Sequence, residues 1–250
     1  MIFLIVKWGL LSLLILVASL LVFKHRQASG LWVLTYPKIG RPPYPCINKK
    51  EWTTPAQLIR TIDQLQKRGF TFISPRVADI PSKAILLVFL DGYHTFYREI
   101  YPLLKARQLP CTVCVPAEFI GKYNAWQNPQ QEPWQDLLTL EELHQLAQDP
   151  LVTLGAQPLS RQDVTQLSPE QAQYEITEGI FRLEKILGKQ PALFALWPAH
   201  GPLRLRELMP EQFRGWIWTH ELGINQTPSS RLKTIWGNSW RARWLLWKMR

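Results

Sequence analysis

Apolar and polar positions along this chain repeat with two different periods, and the changes between them mark its elements. Seven short apolar runs read as strands: Leu31–Tyr36, Phe70–Ser74, Ala84–Leu90, Cys111–Val115, Val152–Ala156, Leu193–Trp197 and Gly215–Thr219. Between them, Thr54–Arg68, Phe96–Gln108, Thr139–Gln148 and Ser168–Leu187 read as helices. In the first helix Leu58, Ile62 and Leu65 recur at helical spacing. Thr53 or Thr54 is available as its cap, Pro55 suits its first turn, and Gly69 ends it. Ser168-Pro169-Glu170-Gln171 opens the longest helix and Gly188 follows its end. Lys122–Gln135, rich in Asn, Gln and Pro, reads as loop. Strands alternating with helices predict an α/β fold with parallel strands and crossover helices. No internal repeat and no linker divides the chain.

The N-terminus breaks that alternation. Sixteen residues, Trp8 to Phe23, pass without a charge, and the apolar start, interrupted only by Lys7, extends the run to 23. A membrane-spanning helix needs about 17–25 apolar residues, whereas the core of a signal peptide needs about 7–15. Val17-Ala18-Ser19 is a passable cleavage site, but Leu20 to Phe23 continue the apolar run. The segment therefore reads as an uncleaved transmembrane helix. Residues 1–26 are expected to form the anchor, with membrane contact through residues 1–23, and residues 27–250 the domain. Lys7 and the α-amino group at one end oppose Lys24 and Arg26 at the other, so flanking charge leaves the orientation open.

Composition narrows the class further. With 46% hydrophobic and 19% charged residues in 250, the chain is neither disordered nor a polytopic membrane protein. A net charge of +10 favours an anionic neighbour without choosing which. Nucleic acid is not expected among the partners. The sequence holds twelve Trp, a residue that concentrates at membrane interfaces, at protein interfaces and under sugar rings. Trp236, Trp240, Trp244 and Trp247, laid on a helix, fall within an arc of roughly 80°. Arg243 and Arg250 border that arc on one side, Arg241 and Lys248 on the other. The stripe suits either a membrane interface or, the preferred reading, a closing helix packed on the domain. Gly237-Asn238 interrupts it, which can leave Trp236 outside. Cys111 and Cys114 form C-x-x-C, but side chains three apart on a strand point to opposite faces, so these are expected to be buried structural thiols.

In alternating α/β folds, chemistry gathers at the C-terminal ends of the strands. Those ends deliver Tyr36-Pro37, Asp91-Gly92-Tyr93-His94, Gln157-Pro158-Leu159-Ser160-Arg161, Pro198-Ala199-His200-Gly201 and Thr219-His220-Glu221. This ordered series resembles the polysaccharide deacetylases, carbohydrate esterase family four, and especially the exported group acting on poly-N-acetylglucosamine. Ala84–Gly121 resembles the family's first motif, usually T-F-D-D-G, with the helix and strand that follow. Val152–Glu170 resembles the segment around H-[ST]-x-x-H, and Leu193–Gly201 the aromatic-Pro-x-Gly motif. Gly215–Gln226 and Arg231–Ile235 resemble the last strand and its exit.

The resemblance implies a distorted (β/α) barrel preceded by the transmembrane helix, with the domain on the extracytoplasmic side of an inner membrane. It also implies amide hydrolysis, in which a divalent metal held by one Asp and two His activates water and a second Asp takes the proton. This sequence departs from that pattern. Leu90 stands at the base position, Gln157 and Arg161 at the two His positions, and Tyr36-Pro37 where many relatives read Tyr-His. Only Asp91 survives. Leu90 cannot move a proton, and Arg161 places a cation where the metal would sit.

No metal, no cofactor and no catalytic residue are therefore expected, with Asp91 and His200 as fallback candidates. Asp91, Gln157, Arg161, Trp197, His200 and His220 are the candidate substrate-binding residues. Asp91 either pairs with Arg161 or contacts a ligand; Trp197 either stacks on a sugar or packs the rim. The leading expectation is a membrane-anchored, catalytically inactive protein that binds a glycan or an envelope protein. One alternative is a hydrolase with a site rebuilt from Asp91, Glu118, Glu221 and the histidines His94, His200 and His220. Another is a structural membrane-assembly protein using the Trp-rich tail.

Overall fold

The computed structural model describes residues 30–77, 79–196, 216–218, 224–227 and 230–236. Its centre is a parallel sheet with strand order β10-β11-β1-β5-β6-β7-β8-β9, in which β4 also pairs with β5. These are β1 Gly30–Tyr36, β4 Thr71–Ile73, β5 Lys83–Phe89, β6 Cys111–Val115, β7 Val152–Ala156, β8 Phe194–Leu196, β9 Trp216–Trp218, β10 Ile224–Thr227 and β11 Ser230–Trp236. The short strands β2, Lys38–Ile39, and β3, Trp52–Thr53, pair separately. Every pairing in the large sheet is parallel except β10 with β11. The result is an α/β fold whose strands form a parallel half-barrel, consistent with the barrel expected.

Alternation along the strands builds two apolar layers. Trp32, Leu34 and Tyr36 of β1, Ile85, Leu87 and Phe89 of β5, and Val113 and Val115 of β6 join the larger cluster under the helices. Their neighbours Val33, Leu86, Val88, Leu90 and Cys114 join Leu193 and Ala195 in a smaller cluster on the other face. A parallel sheet buried on both faces reads as near-continuous apolar runs, which is what the sequence displays. Cys111 lies in the larger cluster and Cys114 in the smaller, so the C-x-x-C thiols face apart. Both are free, and burial pushes both well above the ordinary thiol value.

The helices cover the larger cluster. They are α1 Pro55–Lys67, α2 Tyr101–Ala106, α3 Leu140–Gln148 and α4 Pro169–Leu187. In α1, α3 and α4 the cap Thr54, Thr139 or Ser168 accepts from the third helical N–H, and Gln57, Glu142 or Gln171 reaches back to the cap. Such reciprocal caps satisfy amides that would otherwise lack partners. Leu58, Ile62 and Leu65 are the buried face of α1, each contributing about 1.5–3 kcal/mol of burial.

Two expectations are corrected, and the open reading of Trp236 is decided. Phe96–Gln108 is not one regular helix: Phe96–Ile100 is a π-helical turn leading into α2, which ends at Ala106. The chain does not finish its sheet at Gly215–Thr219, because β10 and β11 form an antiparallel hairpin and β11 then pairs with β1. Trp236 is the last residue of β11, opposite Thr35, and so does not belong to a helical stripe with Trp240. Trp240, Trp244 and Trp247 lie outside the described residues, as does the expected anchor at residues 1–26. Among the described residues no helix is long and apolar enough to cross a membrane.

Candidate functional site

The strand β5 ends at Phe89, and the next two residues set the site. Leu90 donates its amide to Tyr36 O at 3.0 Å and is buried in the smaller cluster. Asp91 and Gly92 then both take φ near +65°, turning the chain out of the sheet. Asp is among the few residues that tolerate this left-handed conformation. The turn leaves the Asp91 carboxylate almost wholly buried, at 1% exposure.

A buried carboxylate without partners would be costly. Here the segment after β7 surrounds it. Asp91 N–H donates to Gln157 Oε1 at 2.8 Å, and Gln157 Nε2 donates back to Asp91 Oδ1 at 2.9 Å. Arg161 adds a two-pronged contact, Nε to Oδ1 at 3.0 Å and Nη2 to Oδ2 at 2.9 Å. Arg161 itself sits at φ 62°, held in a turn by its amide to Pro158 O at 3.0 Å. Burial disfavours the Arg161 charge, but the Asp91 charge and hydrogen bonds outweigh it and raise the guanidinium above its ordinary value.

Helix α4 fixes this segment from behind. Glu175 accepts from Ser160 N–H at 2.8 Å and from Ser160 Oγ at 2.7 Å. Gly179 makes the approach possible: a β-carbon there would lie 2.4 Å from Gln157 O and 3.0 Å from Leu159 N. In front, the guanidinium of Arg161 lies 5.1 Å from the Trp126 ring centre, and Trp126 meets Phe119 edge-on at 4.8 Å. Such a cation over an aromatic face is favourable. Tyr93 is buried beside the pair; its hydroxyl accepts from Asn124 Nδ2 at 3.3 Å, and burial holds its phenol far above the ordinary value.

A second buried polar cluster lies among the loops. Glu132, 1% exposed, accepts from Lys38 Nζ at 2.8 Å, Cys46 Sγ at 3.2 Å and Trp52 Nε1 at 3.2 Å. Lys38 also pairs with Glu51 at 3.1 Å. Burial, and then the Glu132 carboxylate, push the Cys46 thiol up, so it acts as a protonated donor.

Of the residues singled out in the sequence, Leu90, Asp91, Gln157 and Arg161 are brought together. His94 is turned elsewhere: its Nδ1 lies 2.9 Å from Glu142 Oε1 at the start of α3. Glu118 is exposed on a short 3-10 turn, Ala117–Phe119. Trp197, His200, His220 and Glu221 lie outside the described residues. Among the described residues, no three His, Cys, Asp or Glu side chains gather as a metal site. The donor chemistry agrees. Both oxygens of Asp91 already accept from a guanidinium, and the flanking Gln157 offers a neutral amide, so this set does not fit a divalent cation. Trp126, Asn124 and the Glu132 cluster were not visible to sequence reasoning, and Tyr93 was noted only as part of a strand end. Lys38 and Glu132 stand 94 residues apart, and no periodicity connects them.

Comparison with known proteins places this geometry. Structural relatives include IcaB from Ammonifex degensii, at 18% identity and TM-score 0.66, covering 87% of this chain and 97% of that one. A de-N-acetylase from Aggregatibacter actinomycetemcomitans matches at 16% identity and TM-score 0.63, covering 82% and 94%. The BpsB deacetylase domain from Bordetella bronchiseptica matches at 16% identity and TM-score 0.58, covering 84% and 95%. At these identities the likeness establishes the fold. A search of curated proteins finds no match. Residues 78–201, which carry Asp91, Gln157 and Arg161, match the family model for polysaccharide deacetylase, and the chain thus belongs to the polysaccharide deacetylase family.

Proposed function

We propose that this chain is a membrane-anchored polysaccharide deacetylase-like protein that binds an N-acetylated glycan without hydrolysing it. One observation carries the reading: the Arg161 guanidinium engages both oxygens of Asp91. Leu90, buried among apolar side chains, stands where the family resemblance puts a proton-accepting carboxylate. An apolar side chain cannot activate water, and a carboxylate saturated by a guanidinium is not available to a metal. Charge balance is kept by the cation, so the fold survives the loss of the chemistry. The uncharged run from Trp8 to Phe23 supports a membrane anchor, and the resemblance to exported deacetylases, not the run itself, supports an extracytoplasmic domain at an inner membrane.

The test uses the full chain in detergent with N-acetylglucosamine oligomers. Calorimetry is expected to show binding, and acetate release is expected to stay at the buffer blank with added zinc, cobalt or nickel. Acetate release that disappears in Asp91→Asn would overturn the non-hydrolytic reading. Absence of any binding would overturn the glycan reading. Protease accessibility of the domain in intact and permeabilised cells checks its side of the membrane.

A further inference from the structure

The long loop between β6 and α3 does more than cover Arg161. Tyr123 and Trp134 stack on each other, with ring centres 4.6 Å apart and planes 20° apart, and both remain nearly half exposed. They are not loose side chains. Tyr123 bridges to Asp136, and Leu137 N–H donates to Lys122 O at 2.9 Å, so the loop's two limbs are paired. The buried Asn124 lies between them: its Oδ1 accepts from Gln135 N–H at 2.6 Å, and its Nδ2 donates to Tyr93. Trp134 Nε1 donates to Gln127 O at 2.8 Å, which fixes the indole.

That last bond ties the stacked pair to the residue beside Trp126, and Trp126 faces Arg161, which holds Asp91. A chain of contacts through Gln127 and Trp126 thus links the rings to the strand-end site. We infer that Tyr123 and Trp134 form a pre-organised stacking subsite for a pyranose ring of a neutral, N-acetylated hexosamine chain passing over Arg161. The inference rests on the glycan-binding reading above and adds the residues that would hold the chain.

The chemistry selects this occupant. The apolar C–H face of a pyranose ring matches an aromatic face, and the rigid ring pair loses little entropy on binding. Charges of both signs adjoin the rings, Lys122 next to Tyr123 along the chain and Asp136 bridged to it, while Arg161 is neutralised by Asp91. A polyanion therefore finds no cationic track there, which disfavours nucleic acid and anionic lipid. The net charge of +10 opposes a fully deacetylated, cationic chain.

The experiment titrates the full chain and its variants with N-acetylglucosamine tetramer and hexamer by calorimetry, each variant first matched to the parent by melting temperature. Tyr123→Ala and Trp134→Ala should each weaken binding by about tenfold, and Tyr123→Phe and Trp134→Phe by less than about threefold. Phe181→Ala, which removes an exposed aromatic from α4, is the control and should bind as the parent does. If the parent binds and the two alanine variants bind equally well, the subsite is overturned while the glycan reading stands. If Phe181→Ala loses as much as they do, the subsite is overturned too. A parent that binds no oligomer removes the glycan reading, and the subsite with it.

Discussion

At Asp91 a single side chain decides whether the strand end is a catalytic site or a structural knot. Its carboxylate is buried and receives three hydrogen bonds, two from Arg161 and one from Gln157. Removing the cation leaves the charge buried with one weak donor. Arg161→Ala should therefore cost about 3 kcal/mol of stability in urea unfolding. Asp91→Asn in the same background should recover part of that loss, because the charge has gone. The two changes should miss additivity by about 1–3 kcal/mol, and simple additivity would mean the residues are not coupled. Gly179 is the second sensitive residue. Gly179→Ala should destabilise by about 1–3 kcal/mol, since the new methyl must push Gln157 O or the helix aside. The pairing of Asp91 with Arg161 was legible in the sequence because both stand at motif positions. The reciprocal amide bond of Gln157 was not, because its motif position does not say which groups a neutral amide will meet, and the ring of Trp126 was not, since nothing in its local spacing links it to Asp91.

Elements in this fold are held to one another by buried polar groups as well as by apolar layers. Helix α3 ends at Asp149, which caps it, and Tyr101 of α2 donates to Asp149 Oδ2 at 2.6 Å. Lys105 of α2 lies 3.0 Å from the same oxygen, and Leu151 N–H donates to Oδ1 at 2.9 Å. Burial works to raise the Asp149 pKa, but the Tyr101, Leu151 and Lys105 contacts outweigh it and leave it below the ordinary carboxylate value. A depressed folded-state pKa means the stabilisation is present above the unfolded value, near 3.9. It is lost as pH falls through the folded one. Asp149→Asn should thus lower the melting temperature near neutrality, and the gap to the parent should shrink below about pH 4. A gap that stays constant to about pH 2.5 would assign the effect to packing instead. The helices were legible element by element, because caps and apolar spacing are local signals. The hairpin of β10 and β11 was not: Ile224–Thr227 reads INQT, without an apolar run, and becomes a strand only through its partner. The π-helical turn at Phe96–Ile100 leaves no mark in the apolar pattern either.

For the whole molecule, the question is whether the family's geometry persists beneath altered side chains. Gln157 Nε2 and Arg161 Nε both lie within 3.0 Å of the same Asp91 oxygen, so two side chains from the segment after β7 already converge on one point. Imidazoles at these positions would face that point too, although His is shorter than Arg and the Arg161 backbone at φ 62° is one that His tolerates. Leu90→Asp, Gln157→His and Arg161→His together should therefore create a site for a divalent ion. The ligands would be Asp91 and the two imidazoles at about 2.0–2.2 Å, with a carboxylate beside them. Calorimetric titration with zinc should show about one site per chain in the triple variant and none in the parent. Metal binding is the lesser demand. Hydrolysis also needs the substrate carbonyl held in line with the activated water, and Pro37, which follows β1, offers no polar side chain to hold it. Acetate release from N-acetylglucosamine oligomers should remain low. If zinc does not bind the triple variant, the strand ends have moved away from the family arrangement and the placement of Gln157 and Arg161 at the lost imidazole positions falls. Rapid deacetylation would mean instead that the substrate groove is intact, and that the natural chain keeps a glycan-binding cleft from which only the chemistry has been removed.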